Sequence, residues 1–133
     1  GVFRSADRGA TTMSVRSSSQ FDAAVRALRS TGGTIRLRRH HYGGELVVGS
    51  RSARPLRIVG EPGVRVAGLL LEGTQHVSVS RLTIAPMGDD AWLRVSGSRH
   101  VDLHDVLVTA KGTRYRATMQ IIETLAGGFL ATS

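Results

Sequence analysis

The chain has no cysteine, which excludes disulfides and thiolate metal sites and leaves the redox compartment undecided. Aromatic residues make up 5% of it, with a single Trp. That is too few for the aromatic-rich strands on which RNA-binding domains stack bases, so no nucleic-acid partner is expected. No run of 18 apolar residues occurs, so no membrane-spanning helix is expected either. Prolines number 3 and there is no Asn-Gly or Asp-Gly pair, so the usual two-residue hairpin signals are missing. Walker-type glycine loops, HExxH and zinc-finger spacings are absent as well. No charged-then-apolar signal segment opens the chain, although it starts at Gly1 and an export signal could have preceded it.

What is present suits one small domain: 133 residues, 41% hydrophobic, with 16 glycines, pointing to many tight corners between short elements. The net charge of +8 is carried by 17 Arg and one Lys (18 basic residues in all). Such a balance can mark a partner that is a nucleic acid, an anionic lipid or an acidic polysaccharide. It also suits a base-composition bias that writes Arg wherever Lys would serve.

Residues 1–17 read as an irregular lead-in. Within them Ser5-Ala6-Asp7-Arg8-Gly9-Ala10-Thr11 has the outline of a propeller Asp-box, but propellers repeat that element in every blade. One helix follows, over about 19–31. Ser19 is placed to cap it with Asp22 three residues on, and Gly32-Gly33 supplies the stop. Phe21, Ala24, Val25 and Leu28 share one face at helical spacing.

Beyond the helix the apolar period changes to two, the mark of half-buried strands. Thr74–Ile84 aligns residue for residue with Ser98–Val108, 24 positions on. Both copies break parity at one place, between Val79 and Leu82 and between Leu103 and Val106, so each turns a corner. Three columns of inward pairs emerge, most at intervals of 21 to 24 residues. The first runs Ile35/Leu37, Leu56/Ile58, Val77/Val79 and Val101/Leu103. The second runs Leu46/Val48, Leu69/Leu71 and Leu93/Val95, with Ala117/Met119 continuing it. The third runs Val64/Val66, Leu82/Ile84 and Val106/Val108. One strand per face per turn is the signature of a solenoid. Leucine-rich repeats share the period, but their Leu-x-x-Leu-x-Leu pattern is missing. The fold class expected is therefore all-β, a single-stranded parallel β-helix whose open first coil is covered by the amphipathic helix. Residues 18–110 hold the cap and first coils, and residues 111–133 an incomplete or altered tail.

The helix with Phe21-x-x-Ala24-Val25-x-x-Leu28 is followed by Gly32-Gly33-Thr34-Ile35-Arg36-Leu37 and Tyr42-Gly43-Gly44. Then come Arg54-Pro55-Leu56-Arg57-Ile58-Val59-Gly60-Glu61-Pro62-Gly63-Val64 and the Val77–Ile84 stretch. This order resembles the opening of right-handed parallel β-helix proteins of the pectin/pectate-lyase-like superfamily. Chondroitinase-B-like, alginate-lyase-like and many uncharacterised bacterial secreted members share it. The resemblance spans roughly residues 19–110. It implies an extracellular or cell-surface protein acting on acidic polysaccharide, with a lyase as parent chemistry. A non-catalytic module that binds glycans or adheres to surfaces is the alternative, since one scaffold hosts many activities. A truncated product without activity is a third reading. The family's catalytic basic residues and calcium-binding carboxylates sit on central coils beyond this segment. The chain is therefore expected to be a monomeric fragment, inactive alone, with no cofactor of its own and calcium only in a longer parent.

Candidate substrate-binding residues are the outward ones. Arg36 and Arg57 are expected to stack on adjacent coils, a guanidinium row suited to carboxylates or sulfates; Glu61 or solvent could equally absorb their repulsion. His100, Asp102 and His104 alternate along one strand and face outward together, with His76 beside His100 and Ser80 beside His104. Imidazole and carboxylate there could relay a proton or hold a divalent ion, and exposed polar residues are also ordinary on a solvated sheet. Arg81 and Asp105 occupy equivalent positions and read as a coil-to-coil ion pair. Asp89-Asp90 offers too few oxygens for calcium.

Overall fold

The computed structural model describes residues 11–49, 54–85, 93–110, 113–123 and 129–131. The elements in chain order are β1 (Thr12–Val15), α1 (Ser18–Ala27), β2 (Gly33–Leu37), β3 (His41–Val48), β4 (Leu56–Gly60) and β5 (Arg65–Glu72). They continue with β6 (Gln75–Ile84), β7 (Leu93–Ser96), β8 (Arg99–Ala110), β9 (Thr113–Glu123) and β10 (Phe129–Ala131). These strands form one mainly parallel sheet, curled into a half-barrel with a solenoid-like path.

The chain visits three columns in a fixed order. One column stacks β1, β2, β4 and the first halves of β6 and β8, all in parallel register. A second stacks the first residues of β3 and β5 with the second halves of β6 and β8. A third stacks the ends of β3 and β5 with β7. Period-two alternation sends Ile35, Ile58, Val79 and Leu103 inward as one in-register ladder, and each is at most 2% exposed. Leu46, Leu69 and Leu93 form another such ladder, and Leu82 and Val106 part of a third.

Three sequence expectations are corrected. Residues 12–15 are a strand, not irregular: Met13 lies beside Ile35 and Val15 beside Leu37, adding one rung before the helix. The helix starts earlier than expected, capped by Ser17 rather than Ser19. The Ser17 hydroxyl accepts the Gln20 N–H, and the Gln20 side chain accepts the Arg16 N–H. The first bond satisfies an otherwise orphaned helix donor, and the second fixes the residue just before the cap. The tail adds no parallel rung. Strand β9 turns back antiparallel on β8, with Ala117 opposite Val106 and Met119 opposite Leu103, and β10 runs antiparallel on β7. The Asp-box residues other than Thr11, and Asp89-Asp90, lie outside the described residues.

Helix α1 packs on β1, β2 and β3, burying Phe21, Ala24, Val25 and Leu28. The helix ends at its C-cap Leu28, short of the expected Gly32-Gly33 stop; Gly32, at φ 75, closes the turn that follows by donating its N–H to the Leu28 carbonyl at 2.8 Å. A Cβ at Gly32 would also come within 2.5 Å of the Pro55 carbonyl oxygen. Tyr42 is the largest fully buried side chain among the described residues; it sits beside Val66 in the second column, a rung the aliphatic spacing did not mark. Its hydroxyl lies 2.9 Å from the Val15 carbonyl and 3.0 Å from that of Arg38, tying the helix end of the stack to the next corner.

The corners between the first two columns shorten along the stack. Glu61-Pro62-Gly63-Val64 makes the bend as a four-residue turn, with Gly63 at φ 91 and the Val64 N–H donating to the Glu61 carbonyl. This is a type II pattern. On the next two rungs a single residue does it: Arg81 at φ 58 and Asp105 at φ 56. The left-handed region costs a non-glycine residue about 1–2 kcal/mol, so these corners are imposed by the ladders on either side. They are the parity breaks seen in the sequence repeat. At the corner that re-enters the first column, Ser98 is fully buried. Its hydroxyl accepts from the Thr74 N–H and hydroxyl, at 3.1 and 3.0 Å, and faces the Ser96 carbonyl at 3.0 Å. A buried polar pair 24 residues apart is thereby satisfied on both coils.

Candidate functional site

The outward side chains of the first column fall into rows fixed by register. One row runs Thr34, Arg57, Ser78, Asp102; the next runs Ser14, Arg36, Val59, Ser80, His104. Arg36 and Arg57 therefore do not stack. Ile35 pairs with Ile58, not Leu56, because Leu56 starts its strand opposite Gly33. A two-residue slip preserves inward and outward parity but separates the two guanidiniums into different rows.

A groove of about 380 Å³ opens on this face, lined by Pro55, Arg57, His76, Val77, Ser78, His100 and Asp102. Arg57, His76, His100 and Asp102 are exposed and Ser78 is half-buried. The His76 and His100 rings lie face to face on adjacent rungs, with centroids 4.9 Å apart and planes within 2°. Both residues hold positive φ, 58 and 56, each shortly after a glycine of positive φ, Gly73 and Gly97. The left-handed backbone turns both imidazoles to the same side of the corner. Of the residues singled out from sequence, Arg57, His100 and Asp102 come together here; Arg36 and His104 stand in the other row, outside the groove. His76, Ser78 and Pro55 complete the lining. The positions of His76 and Ser78 beside His100 and Asp102 were implicit in the 24-residue repeat, but the convergence of Pro55 and Arg57 with them depended on register.

Arg36 has a different neighbour. With Arg38 it contributes positive charge around Glu61, whose carboxyl is held below its ordinary range, first by the Arg39 N–H and then by these guanidiniums. The Arg39 N–H donates to Glu61 Oε1 at 3.0 Å. The Nε of Arg38 lies 2.9 Å from Oε2, an ion-pair contact without hydrogen-bond geometry. Arg81 and Asp105 line a second groove with Glu61, Pro62 and Gly63. Among the described residues no group of three or more His, Cys, Asp or Glu side chains is arranged to hold a metal ion, and no helix is long and apolar enough to cross a membrane. The first groove presents a cation, a hydroxyl, a carboxylate and two flat imidazoles on one surface.

Comparison with protein-family models, curated proteins and solved structures returns no match.

Proposed function

We propose that this chain folds as a right-handed parallel β-helix of the pectin/pectate-lyase-like kind, and that its outward groove binds an acidic polysaccharide outside the cell. The parallel rungs and the helix over the first of them support the fold. The hand follows from the near-universal right-handedness of parallel crossovers. The observation that carries the binding reading is Arg57 set in an open groove beside the stacked His76 and His100 rings. A guanidinium can grip a sugar carboxylate with two parallel hydrogen bonds. The imidazole faces give a sugar ring a flat wall. A net charge of +8 raises the local concentration of any polyanion.

A second reading, lyase chemistry, is favoured by the same groove. β-Elimination needs the carboxylate neutralised and a base for the adjacent proton; Arg57 and an imidazole would fill those roles. Retention of the chain on immobilised polygalacturonate, alginate, chondroitin and hyaluronan tests both. Binding predicts salt-sensitive retention on at least one column, lost in Arg57→Ser and largely kept in Arg36→Ser, whose side chain lies in the other row. Ultraviolet-absorbing unsaturated products would add lyase activity. Absence of retention on every glycan would overturn the reading.

A further inference from the structure

The groove that carries the proposed binding function holds two imidazoles whose protonation would change its charge. His76 and His100 are both exposed and lie face to face, with centroids 4.9 Å apart and planes within 2°. Each sits on a left-handed backbone, φ 58 and 56, so the same corner geometry on two rungs builds the pair. The charged residues nearest them in register are Arg54 and Arg57 on the rung of β4, Arg99 and Asp102 on β8, and Glu123 of β9, opposite Arg99. His104 follows on β8 in the other row, and β6 flanks His76 with the uncharged Gln75 and Ser78. Among the described residues, Arg57 and Asp102 are the charged ones that line the groove. They stand two rungs apart, at about 4.8 Å per rung.

We propose that the stacked His76–His100 pair makes anion binding in this groove acid-dependent. Imidazole is the side chain whose ordinary titration falls between pH 5 and 8. With both rings neutral, the lining carries one positive charge on Arg57 and one negative charge on Asp102. With both protonated, it gains two positive charges on adjacent rungs, and each ring nitrogen becomes a donor. Two imidazoliums stacked at 4.9 Å repel one another. An anionic group set against both offsets that repulsion and accepts charge-assisted hydrogen bonds from them. Ligand and protons therefore bind together: protons raise the affinity for the anion, and the anion draws in protons to the same extent. A sugar carboxyl ordinarily titrates near pH 4, as other carboxyls do, so it stays ionised through this window and the change lies in the protein.

The inference rests on the glycan-binding reading, and the experiment separates the two. Affinity of the whole chain for oligosaccharides of polygalacturonate, alginate, chondroitin and hyaluronan is measured by calorimetry at pH 8.0 and 5.5 and fixed salt. Titrations between those values, in buffers of different ionisation enthalpy, count the protons taken up. A double variant, His76→Asn with His100→Asn, removes the pair with a residue that tolerates the left-handed backbone, and circular dichroism checks its folding. His104→Gln, in the other row, is the control. The expected result is an affinity at least about fivefold higher at pH 5.5, the effect of two added exposed charge contacts, with net proton uptake on binding. Both effects should vanish in the double variant and persist in His104→Gln. An affinity that does not rise on acidification, binding without proton uptake, or a rise that survives in the double variant overturns the acid dependence and leaves the binding function standing. No binding of any of the four glycans at either pH overturns both.

Discussion

Replacing Ile58 by Ala tests the stacked ladder on which every placement above depends. Ile58 is 0% exposed and lies in register between Ile35 on one side and Val79 on the other. Truncating a buried Ile to Ala costs about 2–5 kcal/mol, depending on how far the surroundings collapse into the space. Collapse is hindered here, because both flanking strands are pinned by backbone hydrogen bonds at fixed spacing. The upper half of that range, about 3–5 kcal/mol, is expected. With a urea dependence of about 2 kcal/mol per M for a small domain, the midpoint should fall by roughly 2 M with an unchanged slope. Since total stability is on the order of 5–15 kcal/mol, such a loss is plain to see. The control is Val59→Ala, one residue on, half-buried and outward; it should cost less than about 1 kcal/mol. Urea titrations followed by far-ultraviolet circular dichroism measure both. Equal losses for the two substitutions would refute the inward–outward assignment of this strand, and with it the rows that build the groove.

Two further outcomes follow from the corner near the helix. Tyr42→Phe should cost about 1 kcal/mol at neutral pH, since the Val15 carbonyl keeps the Arg38 N–H as a donor. Burial, aided by the Glu61 charge, holds the Tyr42 hydroxyl above its ordinary 10.0. The stability it adds is therefore present below pH 10.0 and lost as pH rises further, so thermal melts of the two chains should converge in strong alkali. Glu61→Gln should lower the melting temperature at pH 7. The Glu61 carboxyl titrates below its ordinary 4.5, so its contribution is present above pH 4.5 and lost as pH falls through the depressed value. The gap between wild type and variant should close on acidification, and a gap constant with pH would contradict the role given to the Arg39 N–H.

The core was legible because burial follows parity, and parity survives small errors of register. The Thr74–Ile84 repeat disclosed a corner at Arg81 and Asp105, and both adopt positive φ there. Other parts escaped for identifiable reasons. Four residues, Thr12–Val15, are too few for a period-two signal to stand out, and only Met13 and Val15 carry it. Tyr42 went unmarked as a rung because the columns were traced with aliphatic residues. Residues 113–123 alternate as well as any parallel strand would. Alternation fixes which face is buried and says nothing about strand direction, so the reversal onto β8 could not be read from it.

The site depends on a finer quantity than the core does. Sliding β2 by two residues against β4 exchanges one buried aliphatic neighbour for another and leaves the interior apolar. On the outer face the same slip decides whether Arg57 sits beside Arg36 or beside Thr34. Two guanidiniums at strand spacing would repel one another. The observed register instead sets a single Arg57 in one row with Ser78 and Asp102 on the following rungs. The register is set at the strand ends, where Gly33 accommodates the approach of the Thr11 carbonyl and the Leu28 side chain and lies opposite Leu56. An alanine there would need φ 140 with its Cβ about 2.5 Å from that oxygen. A glycine with no chemistry of its own therefore helps to determine which charges the groove presents, and the charge pattern of this face is a property of register before it is a property of residue type.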